Sequence, residues 1–553
     1  MPHDESLTIS RRRLLGGLVT ITGASTVGGM GTTAVLSDDE RFANGQLVAG
    51  ELNVTVGWEE RYSDRSADEA AHAHLEDGTV VVDDRQGFME ATLQEQFPDE
   101  ETRDRLSDGT ADPCDVLVDI SEEMERPVVD LTDVKPGDSG ELAFDVALCT
   151  NPGYLWLDGA LLASRDEGFT EPERTDPDEY SDGSPPTSGN AGVLTVTNEV
   201  LEVNISADLS GSLGGQPWIY TYPDGSTENF LFFEIYALRD DANRGETVAG
   251  EFEADFPATG VPGTAYPATF TTTVNGVSLS VTRTFTLDPT DGLLTVEYGF
   301  ENVDGTDAIE DLRFTQYVDY DVGDFSNVDV GQFRSDESRS LDYVTQTERP
   351  GFGDEMDLYA GFGAVQSSVA HDVGPSMRVL NDAFSPARLG NTDAYEGQVG
   401  FSLEYSVGRL DPGDTATLTT AFAVARSPRI LKALLLKPRL PLGDGDLLDA
   451  VRTALWFENR ENVCFEGSLA HFLALAATGN GLPLDGIGDD FDEVLDDPTS
   501  AARDCVASSP AVHNLGLRWT LPVDHANELQ GDSSRFGIGF YAEQCRHNDG
   551  REL

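Results

Sequence analysis

A hairpin near the middle of the chain constrains the fold most. Residues 269–274 and 277–287 read TFTTTV and VSLSVTRTFTL, and polar and apolar residues largely alternate in both runs. Asn275-Gly276 between them is typical of a type I′ turn, whose twist matches that of paired strands. Similar runs recur along most of the chain, separated by turn residues. The pattern predicts an all-β protein with antiparallel sheets and a few short helices.

The hairpin as a whole spans residues 268–287, and the same alternation predicts further strands before and after it. Short helical patterns occur near 87–96, and helical or mixed periodicity occurs at 447–457 and 468–477. We expect the other main strands at 50–58, 141–149, 154–157, 193–205, 230–238, 293–303, 312–322, 416–425, 515–521 and 536–541.

The charge of the chain limits its partners. It has 553 residues with 100 Asp and Glu against 35 Lys and Arg, which gives a formal net charge of −65. Only three of the basic residues are lysines, namely Lys135, Lys432 and Lys437. This composition predicts a solvated acidic surface of the halophilic kind, screened by high salt. It argues against nucleic acid as a partner, because no basic patch is present to neutralise phosphates.

A motif near the N-terminus predicts an export signal. A twin-arginine motif is followed by a mildly apolar run to about residue 33, which is too short and too weakly apolar for an ordinary membrane span. We expect a twin-arginine signal peptide at 1–34, cleavage at Ala34, and a secreted or cell-surface protein with no membrane span in its mature form. An uncleaved anchor is the alternative. The motif consists of Ser10, Arg11, Arg12, Arg13, Leu14 and Leu15.

Cysteines and sequons agree with an exported chain. An odd number of five cysteines predicts two disulfides and one free thiol, with 15 arrangements left open. Asn53 and Asn204 begin N-x-Ser/Thr sequons and are candidate glycosylation sites. The disulfide candidates are Cys114, Cys149, Cys464, Cys505 and Cys545.

Several blocks in the two end regions resemble a haloarchaeal branch of the TasA and camelysin family, whose exported members carry SipW-type signal sequences. The blocks read SDDERFANGQLVAGELNVTVGW, DLTDVKPGDSGELAFDVALCTNPGYLWL, SLAHFLALAATGNGLPLDG and LGLRWTLPVDHANELQGDSSRFGIGFYAEQCRHNDG. The resemblance implies a TasA-like antiparallel β-sandwich of the jelly-roll type. It also implies a filament subunit that assembles through its N-terminal strand. Ala34-Val35-Leu36-Ser37 departs from an aromatic pair often found at the family's mature start.

The resemblance covers both ends of the chain and omits the middle. We therefore predict a discontinuous sandwich, 35–165 with 445–553, split by a domain at 190–430. An acidic, Pro-rich linker at 166–189 and a return linker at 431–444 would join them. All five cysteines lie in the two outer parts. The strand pattern of the middle region resembles the supersandwich of mutarotase-like domains, in VTRTFTLDPTDGLLTVEYGFEN, LRFTQYVDYDVGD and LDPGDTATLTTAFAVA.

Motifs for catalysis are sparse. The sequence has neither the GxSxG of a nucleophile elbow nor the HExxH of a zinc peptidase. His72 and His74 alternate on one strand face. His513, His525 and His547 would need to converge with Cys545 to hold zinc or copper, and structural histidines are the alternative. We expect no catalytic residues and no enzyme.

Two weaker sites remain. Calcium is the one candidate cofactor, because a loop near 320 offers several oxygen ligands, although an ordinary acidic loop is the alternative. Trp218, Tyr220 and Tyr222 are candidates for an aromatic sugar platform, with a buried core as the alternative reading. The calcium ligands would be Asp319, Asp321, Asp324, Asn327 and Asp329.

Three functions follow in order of preference. The first is a secreted, non-enzymatic surface or matrix protein that self-assembles by exchange of the strand in residues 35–46, with the inserted domain as a projecting module. The second is a carbohydrate-binding or carbohydrate-processing protein that uses the inserted domain, with surface glycans as partners. A camelysin-like, metal-dependent peptidase is third.

Overall fold

The structure is a computed structural model that describes most of the chain. It describes residues 39–42, 45–48, 53–119, 128–165, 193–206, 218–240, 257–320, 322, 329–348, 358–383, 389–440, 447–484 and 505–545. Within these ranges it leaves out 65, 67, 77–78, 133, 223–224, 258, 337–338, 461–462, 479–480, 524–528 and 530–531.

Strands dominate the described residues, in chain order as follows. The first are β1 (Asp39–Phe42), β2 (Gly45–Val48), β3 (Val54–Ser63), β4 (Ala73–Glu76), β5 (Thr79–Val82), β6 (Leu93–Phe97), β7 (Val118–Asp119), β8 (Val128–Thr132), β9 (Ser139–Leu148) and β10 (Gly153–Arg165). The middle strands are β11 (Val193–Thr197), β12 (Leu201–Ser206), β13 (Ile219–Thr221), β14 (Thr227–Asn229), β15 (Leu231–Asp240), β16 (Tyr266–Val274), β17 (Val277–Leu287), β18 (Leu293–Asn302), β19 (Ile309–Tyr320), β20 (Asp329–Asp336), β21 (Leu341–Glu348), β22 (Tyr359–Ala364), β23 (Ala370–Pro375), β24 (Ala394–Gly397), β25 (Val399–Leu410) and β26 (Thr415–Ala425). The last are β27 (Arg452–Phe457), β28 (Val463–Ser468), β29 (Leu482–Pro483), β30 (His513–Thr520) and β31 (Ser533–Gln544).

The helices are short, as the sequence predicted. They are α1 (Arg85–Thr92), α2 (Glu100–Ser107), α3 (Pro113–Val116), α4 (Ser376–Ala383), α5 (Pro428–Leu436), α6 (Leu447–Ala450) and α7 (Leu469–Ala476), with 3₁₀ turns at Glu69–Ala71 and Lys437–Arg439. Among the described residues, no helix is long and apolar enough to cross a membrane. The predicted all-β class with antiparallel sheets is confirmed.

The outer parts of the chain form two facing sheets, which we call the first sandwich. One sheet has the order β28-β27-β30-β9-β3-β6, with β7 also on β3, and the other has the order β29-β10-β31-β8. Thus β9, from the N-terminal part, lies between β3 and β30 from opposite ends of the chain. Phe144 and Phe540 meet edge to face between the sheets, with ring centroids 5.3 Å apart.

The alternation of apolar and polar residues explains which face of each strand packs against the core. In β9 the side chains of Leu142, Phe144 and Val146 are buried, whereas the residues between them are less so. Because successive strand residues point to opposite sides, this run gives one face to the core. The other faces of β9 and β3 carry Asp145 and Glu59, both bound by Arg103.

The middle of the chain builds larger sheets, which we call the second sandwich. An eight-stranded sheet has the order β16-β17-β18-β26-β22-β21-β20-β24, and a four-stranded sheet has the order β15-β19-β25-β23. Strands β11 to β14 form a further sheet in chain order. The predicted hairpin is confirmed, because Val274 pairs with Val277 and both turn residues have positive φ, 52° at Asn275 and 85° at Gly276.

Helix α5 lies where the chain leaves the second sandwich. Ser427 caps its N-terminus by accepting a hydrogen bond from the Ile430 N–H, and Pro428 follows at the first helical position. Residues 431–436 are all buried, and the helix packs against β22, β26 and α7. The described part of 431–444, where the sequence predicted a linker, is therefore a buried packing element that links the two cores.

A small hairpin precedes the first sandwich. β1 and β2 pair with each other, from Asp39 opposite Val48 to Phe42 opposite Gly45. They form a two-stranded sheet of their own, with no partner strand among the described residues.

Candidate functional site

A groove opens at one side of the first sandwich, and we call it the edge groove. It has a volume of about 370 Å³ and runs between β6, at the edge of one sheet, and β8, at the edge of the other. Val129, Leu131 and Val134 line it on the β8 side, and Glu60, Tyr62 and Trp519 line it on the other sheet. Edge strands present backbone N–H and C=O groups that another strand can pair with, so this side of the sandwich is suited to strand addition.

Aromatic rings form one wall of the groove and are fixed by local contacts. The rings of Tyr62 and Trp519 are 5.7 Å apart between centroids, and the Tyr62 hydroxyl donates a hydrogen bond of 2.7 Å to Asp138. Gly140 allows Trp519 to lie flat on β9, because a Cβ at this position would come within 2.3 Å of the indole nitrogen. The two rings therefore form a fixed aromatic part of this wall.

Two glutamates stand at the same wall. Glu60 belongs to the core-facing side of β3, in line with Val54 and Val56, and it lies directly opposite Glu95 of β6. Burial raises the pKa of Glu60, and the neighbouring charge of Glu95 raises it further. Like charges directly opposite in a sheet are destabilising, and inward-pointing charges are a known way to prevent unwanted strand pairing.

The second sandwich encloses a polar network between its sheets. Arg283 donates to Glu234 at 2.9 Å, and Gln316 donates to both Glu234 and the hydroxyl of Tyr298. The guanidinium carbon lies 4.6 Å from the ring centroid of Phe285. Burial raises the pKa of Tyr298 well above its usual value, so the phenol stays neutral. The Arg283 and Glu234 side chains are only 2% and 8% exposed, so this ion pair connects the two sheets from within the sandwich.

Two buried lysines join the second sandwich to the return segment. Lys437 Nζ lies 2.7 Å from carboxylate oxygens of Asp288, Asp291 and Asp449, and His471 Nε2 lies 2.9 Å from Asp291. We call these five residues the Lys437 cluster. Burial raises the pKa of Asp449 to about 6, even though Lys437 acts in the opposite direction.

The second lysine contact is made from within α5. Lys432 Nζ is 2.7 Å from Asp336, which also accepts from Arg339 at 2.7 Å. Arg339 in turn donates to Thr478 and to the carbonyl of Gly481, beyond the end of α7. The two lysine sites therefore tie turns of the second sandwich to helices next to the first.

The predicted sugar platform is part of the core. Trp218, Tyr220 and Tyr222 are each 5–6% exposed. Trp218 packs edge to face on Phe422 at 5.3 Å, and Tyr220 packs in the same way on Tyr222 at 4.9 Å. The alternation that suggested a platform instead turns these rings inward, so they cannot stack on an external sugar.

The predicted calcium loop is only partly described. Asp319 and Asp329 are buried, and Asp319 accepts a hydrogen bond from Tyr317 at 3.4 Å. Asp321, Asp324 and Asn327 lie outside the described residues. In the part of the chain that the structure describes, no group of three or more His, Cys, Asp and Glu side chains could hold a metal ion.

The described histidines have hydrogen-bond partners. His513 lies 2.6 Å from Glu458 and 2.9 Å from the carbonyl of Ala507. His72 and His74 lie next to Asp84 and Asp83, respectively. His525 and His547 fall outside the described residues.

The cysteines pair within the outer parts of the chain. Disulfides join Cys114 to Cys149 and Cys505 to Cys545, whereas Cys464 is a buried free thiol. Burial raises the pKa of Cys464 to about 11, which keeps it protonated.

The two sequons differ in their surroundings. The amide of Asn204 donates to Glu202 and accepts from Thr195 within its sheet, so the nitrogen that would carry a glycan is engaged. Asn53 precedes β3, and its carbonyl accepts from the N–H of Cys149. The signal motif Ser10, Arg11, Arg12, Arg13, Leu14 and Leu15 and the cleavage residue Ala34 lie outside the described residues.

Sequence reasoning missed the edge groove and the Lys437 cluster. The run VGWEERYS has an acid at an inward position of the strand alternation, which is the signal for Glu60. For the cluster the signal is the rarity of lysine, because two of three lysines fall within six residues of one apolar segment.

No protein-family model matches the chain, and no curated protein matches it by sequence. Solved structures give distant likenesses. A putative aldose 1-epimerase from Escherichia coli K12 is 10% identical, over 42% of this chain and 99% of that one, with a TM-score of 0.25. A galactose mutarotase-like protein from Lactobacillus casei is 11% identical, over 42% and 100%, with a TM-score of 0.24. A bacterial glucoamylase complexed with acarbose is 12% identical, with a TM-score of 0.31, and the match covers 51% of this chain and 38% of that one. TM-scores this low establish neither fold nor activity.

Proposed function

We propose that the protein is an exported, non-enzymatic surface or matrix protein whose copies assemble by strand exchange. The observation that carries the proposal is the edge groove, which lies between two edge strands and has apolar residues on both sides. An incoming strand there would meet the backbone groups of β8 or β6 and, at the same time, the apolar side chains that line the groove. The resemblance of the end blocks to TasA-like filament proteins supports the same function.

The proposed donor is residues 35–46 of a second copy. Part of this segment, β1, pairs only with β2 among the described strands. An isolated two-stranded hairpin is marginally stable in water, so opening it costs little. Residues released from β1 would then gain a longer pairing partner and an apolar groove.

We also propose the wider organisation that the sequence suggested. Residues 35–165 and 445–553 would act as one assembling domain, because their strands share sheets. Residues 190–430 would project from the assembly as a decorative or ligand-binding module. Export by the twin-arginine route, with cleavage at Ala34, would free the donor segment.

The carbohydrate alternative gains no comparable support. The aromatic residues that suggested it are buried, and the polar network around Arg283 is enclosed. The peptidase alternative would need a metal-ligating cluster, which the described residues do not provide.

Self-assembly tests the proposal directly. The chain beginning at Val35 would be followed by light scattering and electron microscopy from low salt to molar salt. We expect large oligomers or filaments at high salt, where the negative charges are screened, and their loss when residues 35–47 are deleted. A matched control replaces 35–47 by a Gly-Ser segment of equal length, which keeps the chain length but removes side-chain contacts, and it should also fail to assemble. Monomers at every salt concentration, or undiminished assembly of both variants, would contradict the proposal.

A further inference from the structure

The edge groove contains two neighbouring carboxylates that an incoming strand would cover. Glu60 points toward the inside of the sandwich, and Glu95 lies opposite it on the edge strand. A strand laid over them would remove water from both carboxylates. Burying a carboxylate without a partner is costly, and two neighbouring carboxylates raise the cost further.

Two arginines of the first sandwich lie near Glu60 and Glu95, but they form ion pairs with other acidic residues. Arg61 contacts Glu59, and Arg103 contacts Glu59 and Asp145. These contacts lie on the face of β3 and β9 that points away from the groove. The occupant of the groove is therefore the natural source of a compensating positive charge.

The proposed donor segment contains one such charge. Residues 35–52 read VLSDDERFANGQLVAGEL, in which Arg41 is the single basic residue. Arg41 lies in β1, within the part of the segment that would be exchanged. A guanidinium group has five N–H donors in a planar fork, so one arginine can contact two adjacent carboxylates.

We propose that Arg41 of a second copy binds the Glu60–Glu95 pair when its segment enters the edge groove, and that this contact makes the groove selective for its own chain. The inference rests on the proposed self-assembly and adds the residues that determine its specificity. An uncharged or acidic strand would leave both glutamates without a cation and would bind less tightly. The apolar wall supplies contact area, and the charge pair fixes which segment fits.

Charge reversal and rescue test the contact. Arg41→Glu should raise the concentration needed for assembly by about tenfold or more, because it places a third acid at the pair. Glu95→Arg alone should also weaken assembly, because it places two arginines together. The double variant Arg41→Glu with Glu95→Arg should recover most of the assembly of the original chain.

Two matched variants control for net charge. Arg452→Glu changes the charge as Arg41→Glu does, at an exposed position of β27 whose partners across the sheet are Thr520 and Ser468. Glu301→Arg controls for Glu95→Arg at an exposed position of β18. Both should assemble much as the original chain does. Circular dichroism would verify that each variant is folded. Neutral substitutions give a milder test: Arg41→Gln should weaken assembly less in a chain that also carries Glu95→Gln.

The outcomes separate this inference from the proposed function. Rescue by the double variant supports the contact. Two outcomes would overturn the contact and leave strand exchange intact, provided that the original chain assembles. One is an equal effect of Arg41→Glu and Arg452→Glu, and the other is a double variant that does not recover assembly. Failure of the original chain to assemble under any salt condition overturns the proposed function, and the contact with it.

Discussion

Lys437 Nζ lies 2.7 Å from Oδ1 of Asp449, and the side chains of the two residues are 3% and 15% exposed. The lysine follows α5 at the exit from the second sandwich, and the aspartate belongs to α6 at the start of the return to the first. Asp288 and Asp291, from the turn between β17 and β18, complete the contact. A single ammonium group thus holds three segments of the chain together.

Removing this ammonium group should destabilise the fold strongly. Lys437→Met would leave the buried carboxylates without their cation, and breaking a buried ion pair from one side costs about 3–5 kcal/mol. The free energy of unfolding in urea, at constant salt, measures the effect. Lys135→Met, at an exposed lysine, is the control and should change stability by less than about 0.5 kcal/mol. Equal effects of the two substitutions would show that the Lys437 cluster does not hold the segments together.

The Lys437 cluster should also make stability depend on pH through Asp449. Its pKa is raised by burial to about 6 in the folded chain, from 3.8 in the reference state. The contribution of Asp449 to the free energy of unfolding is fully present below pH 3.8 and is lost as the pH rises through about 6. The reason is that the folded state binds the Asp449 proton more tightly than the unfolded state does. Relative to Asp449→Asn, the chain should lose about 3 kcal/mol between pH 4 and pH 7.

Comparing the two proteins at each pH removes the contributions of other acids. Asp291 acts in the opposite sense, because His471 and Lys437 outweigh burial and hold its pKa below the usual value. Its effect is present in both proteins and cancels to first order. A difference in unfolding free energy that stays constant from pH 4 to pH 7 would contradict the assignment.

The enclosed pair Arg283 and Glu234 should behave as a unit. Arg283→Met leaves Glu234 buried next to Gln316 without its guanidinium partner. It should lower the free energy of unfolding by about 3–5 kcal/mol. Adding Glu234→Gln should recover part of this loss, because the uncompensated charge is removed. Urea unfolding of the single and double variants forms a double-mutant cycle. Strict additivity of the two substitutions would mean that the pair is not coupled.

The thiol content of the chain is a simple check of its covalent structure. Cys464 is 5% exposed and has a raised pKa, so the folded protein should not react with a thiol reagent at pH 8. After unfolding without reductant, one thiol per chain should react, because the other four cysteines form disulfides. Three or more reactive thiols after unfolding would contradict this pairing.

Local signals predicted all of the described strands of ten or more residues except β25, but they missed most of the shorter ones and did not show which face of each strand is buried. Asn275-Gly276 specified its hairpin because the turn requires positive φ at both positions. By contrast, α5 is only nine residues long and contains Lys432, so its sequence read as a connecting segment although residues 431–436 are buried. Trp218 and Tyr220 alternate as a surface platform would, and only packing across the sheets shows that they face the core.

The site depends on contacts that no local pattern encodes. Glu60 and Glu95 are 35 residues apart, and the register between β3 and β6 places them opposite each other. Trp519 reaches the same groove from the far end of the chain. Predicting such a site requires the pairing of strands that are distant in sequence, which loop closure and the competing registers leave open.

A disulfide between two differently labelled copies tests the account most directly. One variant carries Phe42→Cys in the donor segment, and the other carries Thr132→Cys at the exposed end of β8, beside the edge groove. Mixed at high salt and oxidised, the two should form a covalent dimer on a non-reducing gel, whereas either variant alone should give little. A mixture that forms no more dimer than the separate variants would contradict the exchange of residues 35–46 between copies.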